Sequence, residues 1–207
     1  MNIVVIGASG RTGRELVQQG IKLGHTITAF VRNKNAFLPI KSLIVAVGDV
    51  TDAASLNSAL KGQDAVLVAL GPKGLDKTTL YTTFVKNVIP AMHKNNISRI
   101  IDLSALGAGD SRPQAKILAR IIFATMLKNI YKDKDAAESL LINSDLEYTL
   151  VRPGRLLNLP AKGNVRATLD NHSAHLSSAI QRADVAAFML EQLGSDKWVR
   201  KAPLIGY

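Results

Sequence analysis

The chain has 207 residues, of which 47% are hydrophobic, 20% charged and 5% aromatic; it contains no cysteine and carries a formal net charge of +10. Disulfides, thiol catalysis and cysteine-ligated zinc are therefore excluded, and few aromatics with scattered Lys and Arg argue against reading nucleic-acid bases by stacking. The basic excess reads either as a solvated surface or as a field that attracts anionic ligands.

The first fourteen residues, MNIVVIGASGRTGR, run from a β-branched strand (Ile3 to Ile6) through Gly7, Gly10 and Gly13 into a helix-like stretch beginning near Thr12. A strand that feeds glycines into a helix N-terminus leaves backbone N–H groups and the positive end of the helix dipole facing a phosphate. The same glycines also suit an ordinary surface turn, so the rest of the chain must decide. Glu15 to Leu23 reads as helix stopped by Gly24, and His25 to Val31 as a second strand. Leu43 to Val47 reads as the third strand, and a helix starts at Asp52 and ends before Gly62. Ala65 to Leu70 is the fourth strand, Thr78 to Asn95 a helix with apolar Leu80, Phe84, Val88 and Met92, and Arg99 to Leu103 the fifth strand. Lys132 to Asn143 reads as helix and Tyr148 to Val151 as the sixth strand, before Arg152-Pro153-Gly154. Such alternation predicts an α/β fold, a Rossmann-type doubly wound parallel sheet in one domain, 1–207. After about Asn158 the pattern shortens to a strand at Val165 to Leu169, a helix at Ala183 to Leu193 and a strand at Leu204-Ile205. Residues 155–207 are read as a small C-terminal elaboration on the substrate side. With no leader pattern and no apolar run near the roughly 20 residues that span a bilayer, a cytoplasmic protein without a membrane span is expected.

Four places could carry chemistry. Arg32, at the tip of the second strand, stands where an NAD-selective site carries an acid; Arg would welcome a ribose 2′-phosphate, which favours NADP(H), although a plain surface Arg fits too. Arg11 could flank the same phosphate. Asp49 and Val50 would lie beside adenine, or Asp49 simply begins the turn into the next helix. Ala69, Leu70 and Gly71 end the fourth strand, where the strand order reverses and ligands bind. Ser104 follows the fifth strand and either orients a substrate carbonyl or caps the next segment. His172 and His175 are three apart with no acidic cluster, so no metal is expected. Arg182 and Asp184 read as a cap or an ion pair for the last helix. Pro113 to Lys134 mixes an apolar stretch with Lys116, Arg120, Lys128 and Lys132. It reads as a lid or oligomer contact, ahead of a core helix and of a membrane-surface amphipath.

The pieces GASGRTG (7–13), VRN (31–33), GDVTD (48–52), DAVLVALG (64–71), LSALGAGDS (103–111), KDAAE (134–138) and LEYTLVRPG (146–154) together resemble the atypical short-chain dehydrogenase/reductase superfamily. In particular they resemble the NAD(P)H-binding proteins similar to biliverdin-IXβ/flavin reductase. The resemblance implies NADP(H) held by Gly7, Ser9, Gly10, Arg11, Thr12, Gly13, Arg32, Asp49 and Val50, with Ala69, Leu70, Gly71 and Pro153 beside it. Ser104 lies near the nicotinamide and Lys134 on its ribose, these two being the reaction-side pair. One departure bears on the reaction. Other branches use Tyr-x-x-x-Lys as a general acid–base pair, but the residue four before Lys134 is Ile130. Tyr131 lies about 100° around the helix from the required place. Simple ketones need a proton as hydride arrives, whereas flavins, quinones and biliverdin-like tetrapyrroles spread the charge. The expectation is therefore an NADP(H)-dependent reductase of a small conjugated acceptor, monomeric or homodimeric. The alternative is a non-catalytic, NmrA-like NADP(H) sensor. A sugar-epimerase relative is disfavoured by the short C-terminal region.

Overall fold

The computed structural model describes residues 1–72, 74, 76, 78–170 and 175–207. Strands β1 (Asn2–Ile6), β2 (Thr26–Val31), β3 (Leu43–Val47), β4 (Ala65–Val68), β5 (Arg99–Leu103) and β6 (Glu147–Pro153) are all parallel to their neighbours. With β8 (Arg166–Thr168) and β10 (Leu204–Gly206) they form one sheet of order β3-β2-β1-β4-β5-β6-β10-β8, whose last strand is antiparallel to β10. The order reverses between β1 and β4, and the chain passes from one half to the other there.

Alternate residues of β1 feed two cores. Val4 and Ile6 pack with α2 (Ala53–Ala59), α3 (Leu80–Lys94) and α5 (Lys128–Ile142) through Leu56, Phe84, Val88 and Leu141. Ile3 and Val5 face α1 (Arg11–Lys22) and α6 (Arg182–Glu191) through Leu16, Val17, Val185 and Met189. The period of two along a doubly covered strand is thus divided between both faces. Because α6 shares the core of α1, residues 155–207 do not stand apart from the sheet.

Element limits depart from expectation for local reasons. Gly10 occupies the N-cap of α1, so the helix opens at Arg11, four residues before Glu15. β4 stops at Val68 because its partner β1 ends at Ile6, and the Ala69 N–H closes the ladder on the Ile6 carbonyl at 2.9 Å. Asp52 caps α2, its carboxylate accepting from the Ala54 and Ser55 N–H groups. Two three-residue strands were not anticipated: β7 (Arg155–Leu157) and β9 (Ala179–Gln181) pair in parallel as a separate small sheet. Residues 109–114 form a 3-10 helix and Ile117–Ala124 form α4, in which Ile117 and Ile121 are exposed, so this segment is not a core helix. His172 lies outside the described residues. Among the described residues no helix is long and apolar enough to cross a membrane.

Candidate functional site

The ends of β1, β2, β3 and β4 open on a cavity of about 680 Å³. Its floor is the β1–α1 turn. Gly7 there has φ +77°, and a Cβ on it would stand 2.6 Å from the Ala69 carbonyl oxygen, so the turn closes directly on the end of β4. Gly13 is tighter: a Cβ would meet the Gly7 carbonyl oxygen at 2.2 Å. This glycine lets α1 pack on the turn and does not itself line the cavity. Gly10 caps α1 without a side chain, leaving first-turn N–H groups without a side-chain acceptor beside the cavity wall of Ser9, Gly10, Arg11 and Thr12.

At one end stand Phe30, Arg32, Gly48, Asp49 and Val50. The Asp49 carboxylate accepts from the Thr51 hydroxyl at 2.6 Å and the Thr51 N–H at 2.8 Å. Those two bonds, with a smaller contribution from Arg32, hold its pKa below the usual carboxylate value. Asp49 thus shapes the turn and also borders the cavity. Gly48 is required because a Cβ would fall 2.6 Å from the Phe30 ring.

At the other end Ala69, Leu70, Gly71, Pro72, Thr78 and Leu80 meet Leu103, Leu156 and Arg182. Leu156 and Arg182 arrive through the β7–β9 pair, which sets Leu156 opposite Ile180 just ahead of α6. Arg182 donates to the Asn158 side chain at 2.8 Å and makes no ion pair with Asp184 among the described residues. Burial, and then nearby Arg11, lower its pKa. Asp184 instead accepts from the Lys162 and Gly163 N–H groups and from the Tyr207 hydroxyl. Among the described residues, the charged side chains lining the cavity are three arginines and one aspartate.

Pro153, Ser104 and Lys134 are absent from the lining, although Leu103, beside Ser104, is part of it. Ser104 is 6% exposed, and its buried hydroxyl has no hydrogen-bond partner among the described residues. A buried orphan hydroxyl is uncommon and fits a site whose partner comes with a ligand. Lys134, 8% exposed, donates to the Leu103 carbonyl at 3.3 Å and sits 4.1 Å from the Tyr81 ring centre. Burial lowers its pKa, opposed by Asp102, Glu138 and Asp133. Its neighbour Asp133 accepts from the Tyr81 and Thr82 N–H groups at 2.9 and 3.0 Å, capping α3 from α5. Tyr131 is also engaged: its hydroxyl donates to the Leu106 carbonyl at 2.9 Å, and burial raises its pKa.

Burial pushes Asp102 up to about 6, against the pull of Lys134. In the unfolded chain this carboxyl loses its proton near 3.8, so the raised value favours the folded state at low pH. That contribution is full below the unfolded value and is lost as pH rises towards about 6. Asp102→Asn should remove this decline, read as a change in the slope of Tm against pH across that window. An unchanged slope would count against the assignment.

Comparison with known proteins places the chain in context. The sequence model of an NAD(P)H-binding family matches residues 7–196. A Bacillus subtilis protein described as an uncharacterized sugar epimerase, YhfK, is 32% identical over 205 residues, 93% of this chain and 88% of its own. A Veillonella parvula short-chain dehydrogenase/reductase in complex with NADP aligns at TM-score 0.84 and 19% identity, covering 100% of this chain and 94% of its own. ChuY, an anaerobillin reductase from Escherichia coli O157:H7, aligns at TM-score 0.82 and 24% identity, covering 100% and 97%. The two structural likenesses are likenesses of fold.

Proposed function

We propose that this chain, which belongs to the NAD(P)H-binding family, is an NADP(H)-dependent reductase that passes hydride to a small conjugated acceptor such as a flavin, a quinone or a biliverdin-like tetrapyrrole. The observation that carries the reading is the cavity at the strand-order reversal, lined by Arg11, Arg32 and Arg182 beside the side-chain-free N-terminus of α1. The residues present fit the cofactor. Gly7, Ser9, Gly10, Arg11 and Thr12 would hold the pyrophosphate, with Gly13 setting the turn. Arg32 takes the 2′-phosphate, while Asp49 and Val50 border the adenine. Ala69, Leu70, Gly71 and, from beneath, Pro153 support the nicotinamide end.

When bound, the nicotinamide supplies the hydride. The chain's own part is to orient it. The unpartnered Ser104 hydroxyl is available to a polar group at that end, and Lys134 is a positioning residue that holds the Leu103 carbonyl. Ile130 stands where the tyrosine of other branches is expected, the hydroxyl of Tyr131 donates to the Leu106 carbonyl, and that of Tyr81 donates to the Leu70 carbonyl at 3.4 Å. A conjugated acceptor suits such a site because it spreads the incoming negative charge and takes its proton from water. The anaerobillin reductase among the structural neighbours agrees with a tetrapyrrole as one acceptor. Residues 155–207 build the acceptor side through Leu156 and Arg182. The inward commitment of Lys134 is what favours a second reading, an NADP(H) sensor without turnover.

Arg32→Ala tests the cofactor assignment. It should weaken NADPH binding by ~10- to 100-fold, the worth of a charge-assisted phosphate contact, and leave NADH nearly unchanged. Titration of cofactor fluorescence measures both, and equal losses would refute the 2′-phosphate role.

A further inference from the structure

Helix α4 is held from one side. The Phe123 ring stacks on Tyr131, with centres 4.5 Å apart and planes 27° from parallel. The stack passes over Gly107, where a Cβ would stand 2.4 Å from the Phe123 ring. This contact decides what faces out. Ile117 is 75% exposed, Ile121 54% and Ile122 37%, and Met126, just past the helix, is 63% exposed. Single exposed apolar residues are ordinary, but four within ten positions of one short element form a patch.

The charge around the patch has one sign. From 116 to 132 the chain carries Lys116, Arg120, Lys128 and Lys132, all exposed, and no acidic residue. None of the four is ion-paired among the described residues. The nearest acids in sequence are already used, Asp110 by Arg152 and Asp135 by Arg112. Asp133 is buried as the cap of α3.

We propose that α4 and the start of α5 form a docking surface for an anionic lipid bilayer. The isoleucines and Met126 enter the boundary between headgroups and acyl chains, and the four cations meet lipid phosphates. An eight-residue helix cannot span, so the attachment is peripheral and reversible. A second copy of this chain is a poorer occupant. A two-fold contact would set the same four cations against each other with no acid between them. The proposal stands apart from the identity of the electron acceptor, since none of these side chains lines the cofactor cavity.

The test is flotation of the full chain with vesicles of phosphatidylglycerol mixed into phosphatidylcholine, against pure phosphatidylcholine. The expected result is partitioning at least ~10-fold stronger on the anionic vesicles, weakened by high salt. Ile117→Ser with Ile121→Ser, and separately Lys116→Gln with Arg120→Gln, should each lower it by ~10-fold. Melting temperature and NADPH affinity should not change in either variant. Failure to bind anionic vesicles, or equal binding to both kinds, would overturn the proposal. So would indifference to the isoleucine changes, which would leave only a diffuse charge effect. A concentration-dependent dimer in sedimentation velocity, lost in the isoleucine variant, would assign the face to a second copy instead.

Discussion

Replacing Glu138 by alanine should destabilise the folded protein by about 3–5 kcal/mol, the cost of stripping one partner from a buried ion pair. Glu138 on α5 and Arg152 on β6 are almost fully enclosed. The guanidinium donates to both carboxylate oxygens, Nη2 at 2.6 Å and Nε at 3.2 Å, while Nη1 reaches Asp110 at 2.5 Å. Burial alone would work against the arginine charge, but the bonds and fields of Glu138 and Asp110 outweigh it and raise its pKa. Without Glu138, a charge that cannot leave is held mainly by Asp110, whose side chain lies in solvent. Melting by calorimetry should show the midpoint fall by roughly 6–20 °C, taking about 2–4 °C per kcal/mol for a chain of this size. A fall of only a degree or two would mean that water enters and replaces the lost carboxylate. The network also explains Gly109, where a Cβ would stand 2.4 Å from the Arg152 guanidinium.

Gly13→Ala should be the most damaging small change at the cofactor turn. The added methyl would overlap the Gly7 carbonyl oxygen, and that oxygen also accepts from the Gly10 N–H at 3.0 Å. To make room the α1 N-terminus must move off the turn, which costs about 1–3 kcal/mol as overpacking. The same movement drags the N–H groups assigned to the pyrophosphate, so NADPH affinity should drop at least ~10-fold, the equivalent of one lost hydrogen bond to a charged group. Gly194→Ala is the control, because nothing lies within 4 Å of a Cβ there. Fluorescence titration and thermal melting, run on both variants, should separate them clearly. If Gly13→Ala binds NADPH as well as Gly194→Ala does, the turn is not the phosphate cradle.

The sheet was legible because its strands are apolar on both faces and are punctuated by glycine and Asp52. Those signals are local, and they survive folding unchanged. That the glycine turn and Arg32 lie at the cavity was legible for the same reason, since both stand at a strand end. What stayed hidden depends on partners distant in the chain. β7 and β9 are three residues each and exist only because they pair with one another, so neither carries a readable period. Arg182 does open the last helix, as its sequence position implies, but it reaches the cavity only through that pairing. The ribose role of Lys134 rests on the family resemblance of KDAAE (134–138). Whether it points into the cavity or beneath it depends on Tyr81 and the Leu103 carbonyl, which come from α3 and β5. Asp102, Asp133, Glu138 and Arg152 would each pass for a solvated charge on sequence alone. Their burial is a property of the packed α3–α5–β5–β6 layer.

The claim that organises the site is that bound NADPH gives up its hydride to a conjugated acceptor without a protein acid. It is tested most directly by following NADPH oxidation through the cofactor's own absorbance, with flavin, quinone, a biliverdin-type tetrapyrrole and a simple ketone offered side by side to the same enzyme. The account predicts turnover with at least one of the conjugated acceptors and none with the ketone. Rapid ketone reduction with no flavin, quinone or tetrapyrrole turnover would contradict it.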